Sequence, residues 1–289
     1  MRTVNAPFDN IDKLRNSLIQ HGPSSNRVYL MKLDPADHPA IVDDLIQLAR
    51  QNRYGKIFAK VPSWTEEEFR SRAFLREAAV PNYYKGEADA LFMSYFTNDD
   101  RGRLSDEQRH RIADILAIAQ EKASTATENN KDLPFAIRKL GRDDVSDLTR
   151  IYGIVFESYP FPIFEREYII RTMEEDSIAY YGAFDANGRL VAASSAEMDK
   201  ANSNAEMTDF ATIPAARGHG IALHLLRCME EDMAPRGIHT LYTIARAVST
   251  GMNVTFAKSG YTFSGTLINN TNIAGTIESM NVWYKLRTA

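Results

Sequence analysis

The feature that most constrains this chain is the passage from an apolar strand into an amphipathic helix at EMTDFATIPAARGHGIALHLLRCMEED (206–232). The strand ends at Thr212 and Pro214 breaks it. Gly218 and Gly220 then flank His219 and open a helix that runs to about Met233. Glycine accepts backbone turns that other residues resist, and it puts no side chain over the amides. The first N–H groups of a helix have no partner within it and carry the positive end of its dipole. Such a turn makes a cradle for a pyrophosphate, and Arg217 can add a charge-assisted contact. It is not a P-loop, because no Gly-Lys-Ser/Thr follows. Nor is it the dinucleotide fingerprint, because Leu223 fills the third glycine position. Taken alone, the motif also fits a tight turn that binds nothing.

Hydrophobic periodicity supplies the surrounding elements. The second half reads as a strand (135–140), a helix from Asp143 to about Ser158 and a helix at 165–174. Strands at 177–184, 190–199 and 204–212 follow, the first two joined by a DANG turn. After the glycine-led helix come a strand (239–245), a short helix (249–258) and strands at 261–268 and 278–285. This order predicts an α/β (α+β) fold, a mixed sheet flanked by helices. The first half reads as a helix (10–21), a strand (26–34), a helix (38–52), a strand (56–61), a helix (64–72) and strands at 73–80 and 90–96. Ser105 and Gln108 form a capping box for a helix to about Ala123. The polar stretch that follows divides the chain into an N-terminal α/β domain (1–124), a linker (125–134) and a second domain (135–289). Residues 56–96 repeat the strand-helix-strand-turn-strand order of 239–285. Two readings stand: a degenerate copy, or chance recurrence of a common string.

Composition acts as a filter. Among 289 residues, 34 Lys+Arg against 38 Asp+Glu leave a charge of −4, which argues against a nucleic-acid partner. No apolar run approaches the ~20 residues of a membrane span, and the opening residues lack the apolar core of a secretory signal. Cys228 is the single cysteine, so no internal disulfide forms. A soluble, cytoplasmic protein is the expectation. His219 and His224 stand five apart with no third ligand, so no metal site is expected, and no G-x-S-x-G elbow occurs.

Residues 135–286 resemble the GNAT superfamily of acetyl-CoA-dependent N-acetyltransferases. In that family Q/R-x-x-G-x-G/A cradles the CoA pyrophosphate, and the backbone before it binds the pantetheine arm. The resemblance implies a mostly antiparallel GNAT-type sheet, with the first half a smaller domain and, on the copy reading, a degenerate half of the same fold. It also implies contacts to acetyl-CoA from Thr212, Ile213, Arg217, Gly218, His219, Gly220, Ile221 and Ala222. Ala215 replaces the usual Gln or Arg. The later signature N-x-x-A-x-x-L-Y-x-x-x-G-F falls on Ser249 through Tyr261. It makes Phe256 a further cofactor contact, but without the hydroxyl that often protonates the thiolate; Ser249 and Asn253 on the short helix can contact CoA or the leaving sulfur, with an N-cap as the other reading for Ser249. A narrower likeness covers nearly the whole chain. YPFPI, TDFAT, RGHGIA, MNVTFAKSGYTFSGTLINNTNI and ESMNVWYK, with KIFAKVP and GEADALFMSYF, are similar to the beta-lysine N(6)-acetyltransferase family. That family acetylates the terminal amine of beta-lysine to make a compatible solute used against salt stress.

The implied chemistry sets requirements. A terminal alkylammonium titrates near ~10.4, so a base must deprotonate it. Glu206 is the preferred base and Asp209 the second candidate; on a regular strand they face opposite ways, so only one would face the cleft. Free amides of a splayed strand can stabilise the oxyanion. Glu197 and Asp199 can hold a second ammonium, or end a surface turn. Tyr159, Phe161 and Phe164 can wall the methylene chain, or pack in the core. Arg246 is a candidate for the substrate carboxylate, with simple exposure as the other reading. The partner implied is a small-molecule amine, with no nucleic acid and no membrane; oligomeric state has no sequence signal. Two other readings follow: acetylation of another amine (a polyamine, an aminoglycoside or a protein lysine), and a non-catalytic acetyl-CoA sensor, suggested by Ala215 and Phe256.

Overall fold

The computed structural model describes residues 9–124 and 134–287. The expected linker therefore lies outside the described residues except at Pro134. In the first half, β1 (Asn10–Leu14), β2 (Ser17–Gly22), β3 (Arg27–Lys32), α1 (Ile41–Gln51), β4 (Lys56–Pro62), α2 (Glu66–Ser71), β5 (Leu75–Tyr84) and β6 (Ala88–Phe96) precede α3 (Asp106–Ser124). The strands form a sheet in the order β1-β2-β3-β4-β6-β5. The capping box closes as expected: the Ser105 amide donates to Gln108 Oε1 at 2.9 Å and the Gln108 amide to Ser105 Oγ at 3.1 Å.

Residues 10–21 are a hairpin rather than a helix. Leu14 pairs with Ser17 across a turn in which Arg15 takes φ 56°. The segment has adequate helix propensity, but pairing with β3 sets Ile19 opposite Leu30 and buries both. Tertiary burial overrides a weak local preference.

The second half contains β7 (Ala136–Lys139), α4 (Val145–Val155), α5 (Arg166–Glu174), β8 (Ile178–Phe184), β9 (Leu190–Asp199), β10 (Asn204–Thr212), α6 (Ile221–Met233), β11 (Thr240–Arg246), α7 (Thr250–Lys258), β12 (Thr262–Ile273) and β13 (Thr276–Leu286). Its sheet runs β12-β13-β11-β10-β9-β8-β7. The internal echo is topological and longer than the sequence suggested. β1-β2-β3-α1-β4-α2-β5-β6 repeats β8-β9-β10-α6-β11-α7-β12-β13, with the same strand neighbours and one parallel pair in each, β3/β4 and β10/β11.

The halves meet where β5 approaches β12. Ser264 Oγ accepts from the Ala79 amide at 2.8 Å, and Lys56 Nζ reaches both Glu77 (2.8 Å) and the Ile268 carbonyl (2.7 Å). Tyr29, Phe58, Val80 and Phe92 of the first half share one buried cluster with Tyr242, Leu267, Met280 and Val282 of the second. α3 packs against α7, and its Ala119 is buried in the second half's core. The first half thus covers the face of the second sheet on which β10 and β11 part.

Candidate active site

The α6 turn is built as an open cradle. Gly218 and Gly220 take φ 84° and 74°, and a Cβ on either would meet nothing within 4 Å. The amides of residues 218–222 meet no acceptor among the described residues. Arg217 is exposed beside them, its Nε donating to the Thr212 carbonyl at 3.2 Å. Five free donors and one guanidinium at a helix start suit a phosphate group.

β10 and β11 pair only from Asn204/Thr240 to Glu206/Tyr242 and then separate. A β-bulge lies between Thr208 and Ala211 where β10 faces β9, and Asp209 takes φ 54° within it. The bulge overturns the expected opposition of Glu206 and Asp209. It turns Asp209 toward the face carrying Ser195 and Glu197, so Ser195 Oγ donates to Asp209 at 2.5 Å. Tyr159 donates to the other carboxylate oxygen. Glu197 and Glu206 stand directly opposite each other on β9 and β10, a pairing that costs stability unless a cation lies between them.

These carboxyls are all held above their ordinary range. Burial is the main cause for each. Asp209 and then Glu206 push Glu197 further up, and Lys60 opposes them. For Glu206, Lys60, the Tyr242 hydroxyl and the Ile244 amide pull back without cancelling burial. For Asp209, hydrogen bonds from Ser195, Tyr159 and Thr208 do the same.

Two cavities adjoin. One, of about 570 Å³, runs from the glycine cradle along the splay, past Thr212, Arg217, Ile221, Ala222, Ser249 and Phe256 to Asp209. The other, of about 900 Å³, lies between the two halves and is lined by Glu197, Glu206, Tyr242, Tyr159 and Phe161 with Arg27, Tyr29, Lys60 and Tyr83. Tyr159, Thr208, Ile244, Ile273 and Met280 line both. A linear cofactor entering by the cradle and an acceptor entering between the halves would meet there. The 159–161 segment is pinned from the first half, by Gln20 Nε2 to the Pro160 carbonyl at 2.7 Å.

The structure corrects several expectations. Asn253 is fully buried away from the cavity: its Nδ2 donates to the Arg246 and Ser249 carbonyls, and its Oδ1 accepts from Asn281 and Trp283. The His219 side chain is exposed outside the lining, its ring against Phe135 at 5.9 Å, so that only its amide belongs to the cradle. The Ile213 side chain packs in the core, and its amide is taken by the Val191 carbonyl. Phe164 also joins the core rather than the cavity wall. Arg246 is occupied by Glu278 at 2.7 and 2.5 Å. Phe256 lines the cofactor cavity, edge-on to Phe210 at 5.7 Å.

Sequence reasoning missed Lys60, Arg27, Tyr29 and Tyr83, all in the first half, and Tyr242 and Ser195. Strand period offered one signal. In KIFAKVP, Lys56, Phe58 and Lys60 share a face, and lysines on a buried strand need a reason.

Among known families, the one described as Acetyltransferase (GNAT) family matches residues 146–261. A beta-lysine N(6)-acetyltransferase of Methanococcus maripaludis is 36% identical over 281 residues, covering 96% of this chain and 99% of that protein. N-acetyltransferase YodP of Bacillus subtilis is 30% identical over 269 residues, 93% and 95% of the two chains. A beta-lysine N(6)-acetyltransferase of Methanosarcina mazei is 30% identical over 263 residues, 85% and 96%.

Proposed function

The chain belongs to the GNAT acetyltransferase family and is an acetyl-CoA-dependent N-acetyltransferase acting on small-molecule amines; on that premise we propose that its acceptor is beta-lysine and its product N6-acetyl-beta-lysine. The observation that carries this reading is the cavity between the halves. Two half-buried carboxyls, Glu197 and Glu206, line it together with Lys60 and Arg27, and the buried Asp209 borders the adjoining cavity. An acceptor with two ammonium groups and one carboxylate matches both signs. The relatives named for beta-lysine, aligned over nearly the whole chain, support the same acceptor.

Acetyl-CoA supplies a thioester-bound acetyl group. The amides of Gly218 to Ala222 and Arg217 hold its pyrophosphate, and the parted edges of β10 and β11 take the arm, beside Thr212, Ser249 and Phe256. We assign Asp209 as the base, ahead of Glu206, because it borders the cofactor cavity and touches Tyr159 and Thr208, which line both cavities. Asp209 takes a proton from the terminal ammonium. The freed amine attacks the carbonyl, the C–N bond forms, and the C–S bond breaks as the tetrahedral intermediate collapses. The leaving thiolate takes a proton from water or from the Tyr159–Asp209 pair, and needs little help, since thiols titrate near ~8.5. Glu206 and Glu197 hold the acceptor's ammonium groups, and Tyr159 and Phe161 flank its methylenes. Acetylation removes one positive charge, leaving a net-neutral zwitterion suited to a compatible solute.

We also assign residues 1–124 and 135–289 as the two domains, joined at 125–134, with the first walling the acceptor site. The test is acetyl-CoA-dependent thiol release with beta-lysine, α-lysine, ornithine, putrescine and spermidine. A kcat/KM for beta-lysine at least tenfold above the rest is the expected result. Preference for another amine would remove the acceptor assignment but keep the chemistry.

A further inference from the structure

Lys60 projects from β4 of the first half into the wall of the acceptor cavity. It donates to the Tyr242 hydroxyl at 3.2 Å and also bonds the Tyr83 hydroxyl. Its ammonium lies 5.3 and 5.5 Å from the ring centres of Tyr83 and Tyr242, and no carboxylate lies within 4.0 Å of it among the described residues. Lys56, four residues earlier on the same face, is by contrast paired with Glu77 at 2.8 Å. Burial alone would lower the Lys60 pKa, but Tyr29, Tyr83 and Glu206 outweigh it and keep the group charged. A half-buried ammonium with no carboxylate in direct contact leaves charge for a ligand to neutralise.

The same wall carries a second incomplete pair. Arg27 is 3% exposed and Asn270 2%. Arg27 Nη1 donates to the Asn270 carbonyl at 2.9 Å, while Arg27 Nε and Asn270 Oδ1 have no partner among the described residues. The cavity therefore carries both signs, carboxyls from β9 and β10 and cations from β3 and β4.

We propose that Lys60, supported by Arg27, anchors the carboxylate of the acceptor, so that the first half selects amino acids and rejects polyamines. The proposal rests on the acceptor being a diamino acid and specifies how that class is recognised. A polyamine would set like charge against Lys60, which is discrimination by repulsion.

The test compares beta-lysine with 1,4-diaminopentane, the same molecule without its carboxylate, and with beta-lysine carboxamide. Wild-type protein should show KM for the carboxamide raised about 10- to 100-fold with kcat within about threefold, the range of one hydrogen bond to a charged group. Lys60→Met should raise KM for beta-lysine by a similar factor and leave 1,4-diaminopentane unchanged or improved. Lys60→Arg should recover part of the loss. Equal loss on both acceptors, or a wild-type enzyme indifferent to the carboxamide, would overturn the anchor while leaving the beta-lysine assignment intact. The carboxamide arm needs no variant and holds if Lys60→Met fails to fold. If α-lysine or ornithine is the preferred acceptor, the same comparison with its carboxamide decides the anchor. A preferred acceptor without a carboxylate would overturn it.

Discussion

Replacing Asp209 by asparagine separates its chemical role from its structural one. The carboxyl is 4% exposed and accepts hydrogen bonds from Ser195 and Tyr159. Asparagine has the same size, and both hydroxyls can rotate, one to donate to the amide oxygen and one to accept from its nitrogen. The fold therefore loses at most about 1 kcal/mol of hydrogen bonding. A compensating gain follows from the raised pKa. A carboxyl whose folded value lies above its unfolded value favours folding below the unfolded value, and that contribution is lost as pH rises through the folded value. At neutral pH the carboxylate opposes folding, so Asp209→Asn should melt at or above wild type there and fall behind it in acid. Activity should move the other way. Loss of a positioned base costs about 10²- to 10⁴-fold in kcat, or about 2.7 to 5.4 kcal/mol. The assay is thiol release against pH with saturating acetyl-CoA, alongside a melting curve. Wild type should lose activity in acid above the ordinary carboxylate range, and the variant should lack that limb. If Asp209→Asn keeps kcat within threefold while Glu206→Gln drops it a hundredfold, the base is Glu206 and the argument from the shared cavity lining is wrong.

Other consequences follow from the same geometry. Gly220→Ala forces φ 74° on a residue with a Cβ and narrows the cradle without meeting any atom; KM for acetyl-CoA should rise about tenfold or more with KM for the acceptor unchanged, measured by varying each substrate in turn. Asn253→Ala strands the Asn281 and Trp283 donors in the core, so calorimetry should show a loss of about 1–3 kcal/mol, while KM for acetyl-CoA at a permissive temperature stays at the wild-type value. Gly265→Ala would place a Cβ 2.0 Å from the Glu77 carbonyl at the seam between the halves; a loss of about 1–3 kcal/mol and a rise in acceptor KM are expected, read by melting and by kinetics.

Much of the fold was legible because it is written in short-range patterns. Gly-x-Gly after a strand, the Ser105/Gln108 box and alternating strands each act within a few residues. The failures lie where distant residues decide. The hairpin at 10–22 depends on β3 covering Ile19, which no local preference reports. The bulge at Asp209 depends on pairing of β10 with β9 on one side and release from β11 on the other, so a regular strand was the natural expectation and gave the wrong face. Asn253 sits on the short helix beside the cofactor cleft in the sequence order, yet its partners Asn281 and Trp283 are about thirty residues away and turn it inward. Lys60 escaped because its role depends on a cavity between two halves of the chain, while its own neighbours read as an ordinary buried strand.

The most direct test of the account is a competition. Equal concentrations of beta-lysine, α-lysine, ornithine, putrescine and spermidine are offered together with limiting acetyl-CoA, and the products are identified by mass and by the position of acetylation in NMR spectra. N6-acetyl-beta-lysine should be the dominant product, with the N3 amine unmodified. Dominant acetylation of a polyamine, or of beta-lysine at N3, would contradict it.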